Sequence, residues 1–475
     1  MKRGKGSITL FSVLSLLVIT ATLFALLEGC RFLEARRFAD LQTEAALEAA
    51  FANYNTCLWR EYHLLATDVS QMESVVNNVA SGRKGNGVNM LSMGVDKIKI
   101  ERTKRLTDGE GIVFVECVSN YMKENILYES LKELYNQYEA IKNIMVSSEM
   151  DMGNIQDAIE GLKSTEAEVE QKSVGTAGTK IDVKTILEEV KSWQEKGVLE
   201  LVLKDTKSVS ESEVDFGQSL MRRRLEKGTM QVSESVDWKD RILLQQYLLR
   251  YLSNYMECVP ERALSYELEY LVSQKTSDVA NLKAVVGKLL AIREAANFLC
   301  LVSNPDKVAK AEVMATVCLG ASLNPALIQV IKIGLLTAWA FVESVLDVRA
   351  LLAGKRIPFM KSEENWTTNL ENMVALMSEF AMAKESAYGV TYQDYLGILL
   401  LFEQEQKLAM RAMSLQEETI RKVYGDRNFR LDRMITQAEA SIVYRYTLVF
   451  PFLQVIKAKD KFGKYIIGKS SYGYY

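Results

Sequence analysis

The first apolar block of this chain runs from Ile8 to Leu27, twenty consecutive positions without a charge. Lys2, Arg3 and Lys5 precede it, and Glu28, Arg31, Glu34, Arg36 and Arg37 follow. At ~1.5 Å rise per residue such a run spans ~30 Å, the hydrocarbon thickness of a bilayer, so the pattern predicts a transmembrane helix. From Arg31 to Val76 there is no proline, and alanine recurs. That predicts a stalk helix over 28–80 that continues the span. Phe38, Leu41, Ala45, Ala49 and Ala52 fall at helical spacing, a stripe able to pack on a partner helix.

Beyond Ser81 the pattern changes repeatedly. Ser81 to Gly94 is rich in Gly and Asn and reads as a loop; Val95 to Arg105 alternates and reads as a strand. Thr107 to Gly111 has turn chemistry, and Ile112 to Val146 returns to helix. Residues 147–240 are polar and linker-rich, broken by a helical stretch from Val183 to Leu203. From Arg241 apolar residues are dense. Helices are expected over Ile242–Met256, Val279–Val302 and Tyr392–Val423, and strands over Leu264–Val272, Ser441–Phe450 and Lys461–Ile467. Pro325 to Gly354 is apolar enough to suggest a second span. Its uncharged core between Lys332 and Glu343 is only ten residues, which suits a buried core helix. The fold class is therefore α+β, predominantly helical, with short strands. The expected domains are a tail at 1–7, a transmembrane helix at 8–27, a stalk at 28–80, a strand–helix region at 81–146, a linker-rich region at 147–240 and a C-terminal, mostly helical domain with closing strands at 241–475.

The N-terminus admits three fates. A cleaved signal peptide has a shorter apolar core and a small-x-small site. Leu27-Glu28-Gly29-Cys30 resembles a lipobox, at which Cys30 would be diacylated, although Glu28 occupies a position that is normally small and uncharged. The length of the run favours a retained anchor. Lys2, Arg3 and Lys5 place the N-terminus in the cytoplasm and the bulk of the chain outside the plasma membrane as a single-pass protein.

Gly6-Ser7-Ile8-Thr9-Leu10-Phe11, followed by the long helix, resembles the N-terminus of minor-pilin-like and pseudopilin-like proteins of Tad (tight adherence) pilus systems. Over nearly its whole length the chain is similar to a Gram-positive membrane-protein family of unknown function, often associated with Tad-like gene clusters. Leu58–Leu65, Tyr266–Leu271, Arg293–Phe298 and Ala338–Ser344 carry that likeness. The resemblance implies a pilin-like stalk and a processing position at Gly6 and Ser7. Where a processed prepilin has Glu five residues past the cleaved Gly, this chain has Phe11, which favours an unprocessed accessory protein over a major pilin.

Composition narrows the choice. A net charge of −3 gives no basic footprint for nucleic acid. The six cysteines form no CxxC pair and no readable disulfide framework, and Cys300 and Cys318, in apolar runs, read as buried thiols. Gly463 to Ser470 satisfies GxxxxGK[ST], but the flanking Tyr465, Ile466 and Ile467 suit a strand, and no room for the required helix follows. No nucleotide is expected. His63 is the only histidine and reads as structural or solvent-facing on the stalk. Glu343 and Asp347, four apart, share a helix face and read as its polar edge, paired with Arg349 or Lys355. Arg222-Arg223-Arg224 reads as a solvated patch. No catalytic, cofactor or metal residues are nominated, and no enzyme activity is expected. The expectation is a membrane-anchored structural or assembly component of a Tad-like pilus or secretion apparatus. Its partners would be membrane lipid and pilin-like or secretion-apparatus membrane proteins, or a second copy. An envelope scaffolding protein without a pilus role is the alternative.

Overall fold

The computed structural model describes residues 5–81, 93–124, 183–233, 235–319, 325–449 and 465–474. The fold is α+β and predominantly helical, with one antiparallel sheet among the described residues. In chain order its elements begin with α1 (Lys5–Ala52), α2 (Thr56–Tyr62), β1 (Thr67–Asp68), α3 (Val69–Ser81), β2 (Met93–Arg105) and α4 (Ile112–Lys123). Then come α5 (Val183–Glu195), α6 (Val198–Val202), α7 (Trp238–Tyr251), α8 (Glu267–Ser273), α9 (Asp278–Val302), α10 (Pro305–Leu319) and α11 (Pro325–Leu352). The last are α12 (Met373–Ser378), α13 (Tyr392–Leu401), α14 (Glu405–Val423), β3 (Met434–Tyr446) and β4 (Tyr465–Tyr474). Two compact units emerge: residues 1–117, 223–236 and 426–475, and residues 118–222 and 237–425.

In the first unit β3 is the central strand. β2 pairs along one side, from Met93↔Tyr446 to Arg105↔Ile435. β4 pairs along the other, from Tyr465↔Tyr446 to Tyr474↔Gln437, and β1 meets Met434 and Ile435. Alternation along β3 sends Ala438, Ala440, Ile442, Tyr444 and Tyr446 to one face, where they are buried. Ala35, Ala39, Ala46 and Ala50 of α1 cover that face, with Met72 and Val76 of α3 beside them. Small side chains let the α1 backbone come close to the sheet. Thr43 and Tyr444 share a buried hydroxyl contact of 3.2 Å, and Gln42 donates to the Val79 carbonyl at 2.6 Å. The opposite face is a charged ladder, in which Arg102 meets Glu439 at 2.6 Å and Ser441 donates to Glu101 at 2.9 Å.

In the second unit α11 is the core. From Gly334 to Leu352 every residue is buried. Of the two helices among the described residues that are long and apolar enough to cross a membrane, α11 is the mostly buried one, and α1 is uncovered over its apolar window. α9 and α10 pack on α11. Ser277 caps α9, and Thr391 with Asp394 forms a capping box for α13.

Several expectations are corrected. The stalk is not one helix. α1 ends at Ala52, where Asn55 caps α2 by accepting from the Leu58 N–H at 2.9 Å, and Thr67 bonds the Asn53 carbonyl. Asparagines favour such caps over a helix interior. The chain then turns at His63, in the left-handed conformation, and α3 packs back on α1. The strand expected over Leu264–Val272 is α8: all of Glu267 to Val272 is buried, so the Tyr–Leu–Tyr alternation marks no two faces. The single helix expected over Tyr392–Val423 is broken between Leu401 and Glu405, where Arg241 takes the Leu401 and Glu403 carbonyls. β3 begins earlier than expected, and the strands read as closing the C-terminal domain belong instead to the sheet of the first unit, where β3 lies between β2 and β4. The described part of the stretch read as linker-rich carries α5, α6 and buried side chains that include Trp193, Val202 and Phe216. The expected loop at 82–92, the helix beyond residue 124 and the linker up to residue 182 lie outside the described residues.

Candidate functional site

The processing candidates all lie on α1. Gly6 and Ser7 are within its first turns, and Cys30 is exposed on an unbroken stretch of the helix. The stripe of Phe38, Leu41, Ala45, Ala49 and Ala52 is on α1 but not on its packed face. Leu41, Ala45 and Ala52 are exposed, and Phe38 and Ala49 half-buried. At ~100° per residue the stripe lies about 110° round the helix from the Ala35/Ala39/Ala46/Ala50 face. Sequence reasoning missed Glu28. It is 4% exposed, accepts from the Tyr446 hydroxyl at 2.6 Å and faces Arg31 at 3.4 Å. Burial and the Glu28 carboxylate both raise the Tyr446 pKa. The available signal was its place as the first charge after the apolar run.

His63 is on the turn after α2, not on a stalk, with its ring 5.4 Å from Trp59. The phosphate-loop match falls on β4. Gly468, Lys469 and Ser470 pair with Val443, Ile442 and Ser441 as strand, without the helix N-terminus that a phosphate needs; Gly463 and Lys464 lie outside the described residues. The expectation of buried thiols at Cys300 and Cys318 is corrected, because Cys318 is exposed and Cys300 half-buried. α10 turns Ala311 and Ala315 inward and leaves Cys318 outside. Cys117 is half-buried as well, and burial pushes its thiol up to about 12. None of the six cysteines forms a disulfide.

Glu343 and Asp347 do share one face of α11, but that face is the centre of the second unit, not a polar edge. Asp347 Oδ2 accepts from Arg293 Nε (3.0 Å) and Nη2 (2.8 Å) and from Asn297 Nδ2 (2.8 Å), and its Oδ1 is 2.5 Å from Lys361 Nζ. Lys361 also pairs with Glu343, which takes the N–H groups of Thr367 and Thr368 and the Thr368 hydroxyl. Arg293 donates to the Pro358 and Phe359 carbonyls and to Tyr395. All four charged side chains are fully enclosed. Arg349 is not the expected partner: it reaches the Leu201, Met377 and Ala381 carbonyls and stacks on Phe380. Two acids and two bases balance, and every charge is bonded. Such a cluster fixes helix packing and offers no open position to a substrate.

A second buried group gathers carboxylates at α8. Glu267 accepts from the Ser253 N–H, and Glu269 from the Tyr255 N–H (2.8 Å) and the Tyr392 hydroxyl (2.7 Å). Burial raises both to about 7 against those hydrogen bonds. Asp278 accepts from the Ser265 and Tyr266 N–H groups and from the Ser210 hydroxyl. Each carboxylate thus closes a loop or helix end. Among the described residues no group of His, Cys, Asp and Glu is placed to hold a metal ion.

In the first unit Arg223 leaves the expected solvated patch and binds Asp432 at 2.7 Å. Burial opposes the Asp432 charge, but hydrogen bonds from Arg430, the Glu226 N–H and Arg223 outweigh it and hold the carboxyl at about 2. An open groove of about 440 Å³ runs between the end of α1 and β4, lined by Leu47, Phe51, Leu65, Tyr472 and Tyr474, with Glu44 among its polar residues. On α1 the apolar first half is uncovered, and Leu41, Ala45 and Ala52 of the second half are exposed.

A family model described as a family of unknown function (DUF5702) matches residues 178–446, more than half of the chain. The chain belongs to that family. No curated protein and no solved structure matches it.

Proposed function

We propose that this chain is a membrane-anchored, extracytoplasmic structural or assembly component of a Tad-like pilus or secretion apparatus in a Gram-positive envelope, and not an enzyme. One observation carries the reading. A single helix is bare over its apolar residues and becomes covered on one face at Glu28, the first charge after them. The rest of that helix lies on an antiparallel sheet, the arrangement that the pilin resemblance implies. Lys2, Arg3 and Lys5 favour a cytoplasmic N-terminus. Cleavage before Cys30 would remove Glu28 and strand the Tyr446 hydroxyl, which favours a retained anchor over a lipoprotein. The stripe of Phe38, Leu41, Ala45, Ala49 and Ala52 would receive a pilin-like helix or a second copy, since small residues let helices approach closely.

Cysteines at positions 45 and 49 test this in cells. They should crosslink to a pilus or secretion membrane protein, or to a second copy. Ala49→Arg should shrink the complex, while protease added to intact protoplasts still digests the chain beyond residue 80. No crosslink and an unchanged complex would remove the assembly role. Protection of the bulk of the chain in protoplasts but not in lysed cells would reverse the topology.

A further inference from the structure

The position of Glu28 fixes more than an anchor. Leu27 ends the apolar run, and Glu28 already touches Tyr446, the last residue of β3. Phe32 meets the same ring edge-on, with centroids 5.7 Å apart. Met93 and Tyr465 pair with Tyr446, so the start of β2, the end of β3 and the start of β4 lie together at this level. One residue of helix rise is only ~1.5 Å. If residues 8–27 fill the hydrocarbon, this end of the sheet stands at the headgroups, with no spacer beneath it.

The side chains there suit that depth. Val449, just past β3, is 50% exposed, and Leu33 is 60% exposed on α1. Arg36 and Arg37 are exposed within ~15 Å of the end of the apolar run. Helical side chains lean toward the helix N-terminus, here toward the bilayer. Exposed apolar residues and arginines at the end of an apolar run are the chemistry of an interfacial lipid contact, and Glu34 is the one acid exposed between Leu33 and these arginines.

We propose that the Met93/Tyr446/Tyr465 end of the sheet is a bilayer-docking surface, with Leu33 and Val449 seated among the headgroups and Arg36 and Arg37 paired with anionic lipid. The surface stands on those four residues. It rests on the reading of residues 8–27 as a span. Its effect is to hold the sheet in one attitude to the membrane, so that the free face of α1 always points along the bilayer surface.

The test uses the full chain in vesicles of phosphatidylcholine and phosphatidylglycerol, with a photoreactive benzoylphenylalanine at one position at a time. Phe11, in the span, reports insertion. Gln437, ~30 Å along β3 from Tyr446, is the distant control. Lipid adducts are expected at Phe11, Leu33 and Val449 and not at Gln437. The double variant Arg36→Gln/Arg37→Gln should lower the Val449 yield severalfold, an effect that disappears in pure phosphatidylcholine. Adducts at Phe11 without any at Val449 would overturn the docking surface while leaving the span intact. Absence at Phe11 would overturn the span, and the docking surface with it. An unchanged Val449 yield in the double variant would overturn the headgroup pairing.

Discussion

Asp347→Ala is the sharpest perturbation of the second unit. In the native core Asp347 takes three hydrogen bonds, two from Arg293 and one from Asn297, and lies against Lys361. Alanine removes one of two buried acids and leaves Arg293 and Lys361, both enclosed, to share Glu343. Breaking a buried pair by deleting one partner costs about 3–5 kcal/mol, because the remaining charge is stranded. In a domain of this size ~1 kcal/mol moves a melting temperature by ~2–4 °C, so a fall of roughly 6–20 °C is expected. Tryptophan fluorescence of the full chain in detergent reads it, since Trp339 and Trp366 flank the cluster, with Trp339 bonded to Thr368 at 2.8 Å. Glu385→Ala, at an exposed position in the same unit, should stay within ~0.5 kcal/mol. Arg293→Met/Asp347→Leu keeps the remaining Lys361–Glu343 pair neutral, and should be less destabilising than the sum of its single changes. A loss below ~1 kcal/mol for Asp347→Ala, or strict additivity in the double variant, would refute the view that charge balance holds this core.

Three further outcomes follow from particular contacts. Glu267 and Glu269 have folded pKa values raised to about 7 from 4.5, so the folded state holds their protons longer than the unfolded one. Their contribution should therefore be full below pH 4.5 and be lost as pH rises to about 7. Denaturant midpoints should show this, and Glu267→Gln/Glu269→Gln should flatten the profile; an unchanged slope would disprove it. Gly389→Ala should cost roughly 1–3 kcal/mol by thermal melting, because a Cβ there would sit 2.5 Å from the backbone of Arg356 and Ile357 at the Ile357–Val390 bridge. Lys469→Ala should leave stability unchanged and nucleotide binding absent in calorimetry; saturable ATP binding lost in that variant would show that the strand reading of this motif is incomplete.

What could be read in the sequence was local. The alternation after Val95 gave β2, and the charges of α11 marked it as a core helix because they interrupt any run of spanning length. The turn at Thr107–Gly111 was legible from its residue types, and Gly109, Glu110 and Gly111 all adopt positive φ. What could not be read was partnership. Periodicity placed Glu343 and Asp347 on one face, but their cations come from Lys361 and Arg293, at separations of 18 and 54 residues, not from nearby Arg349 or Lys355. β2 and β3 were each visible as strands, yet Arg102 meets Glu439 across 337 residues, so no local pattern could assign them to one sheet. α8 was misread because a helix buried all round has no polar face to set its period.

α1 shows how one helix can carry two different instructions. Before Glu28 its whole circumference is apolar and bare, the pattern of a helix whose neighbour is lipid. After Glu28 its circumference is divided. Alanines at 35, 39, 46 and 50 face the sheet, where anything larger would push the helix away, and Glu34, Arg36, Arg37, Glu44 and Glu48 are exposed. The remaining sector, from Phe38 to Ala52, is only partly covered by this chain and is not polar: Phe38 and Ala49 are half-buried, and Leu41, Ala45 and Ala52 are exposed. Leu41 is 65% exposed there, beside three alanines at the spacing that allows close helix contact. The division at Glu28 also fixes the rotation of that sector, because the Glu28–Tyr446 and Thr43–Tyr444 contacts clamp α1 to the sheet at two heights. If the sheet end docks on the bilayer as proposed, these two contacts keep the open sector pointing in one direction parallel to the membrane. A lateral neighbour anchored in the same bilayer would meet that sector; one approaching from above would not.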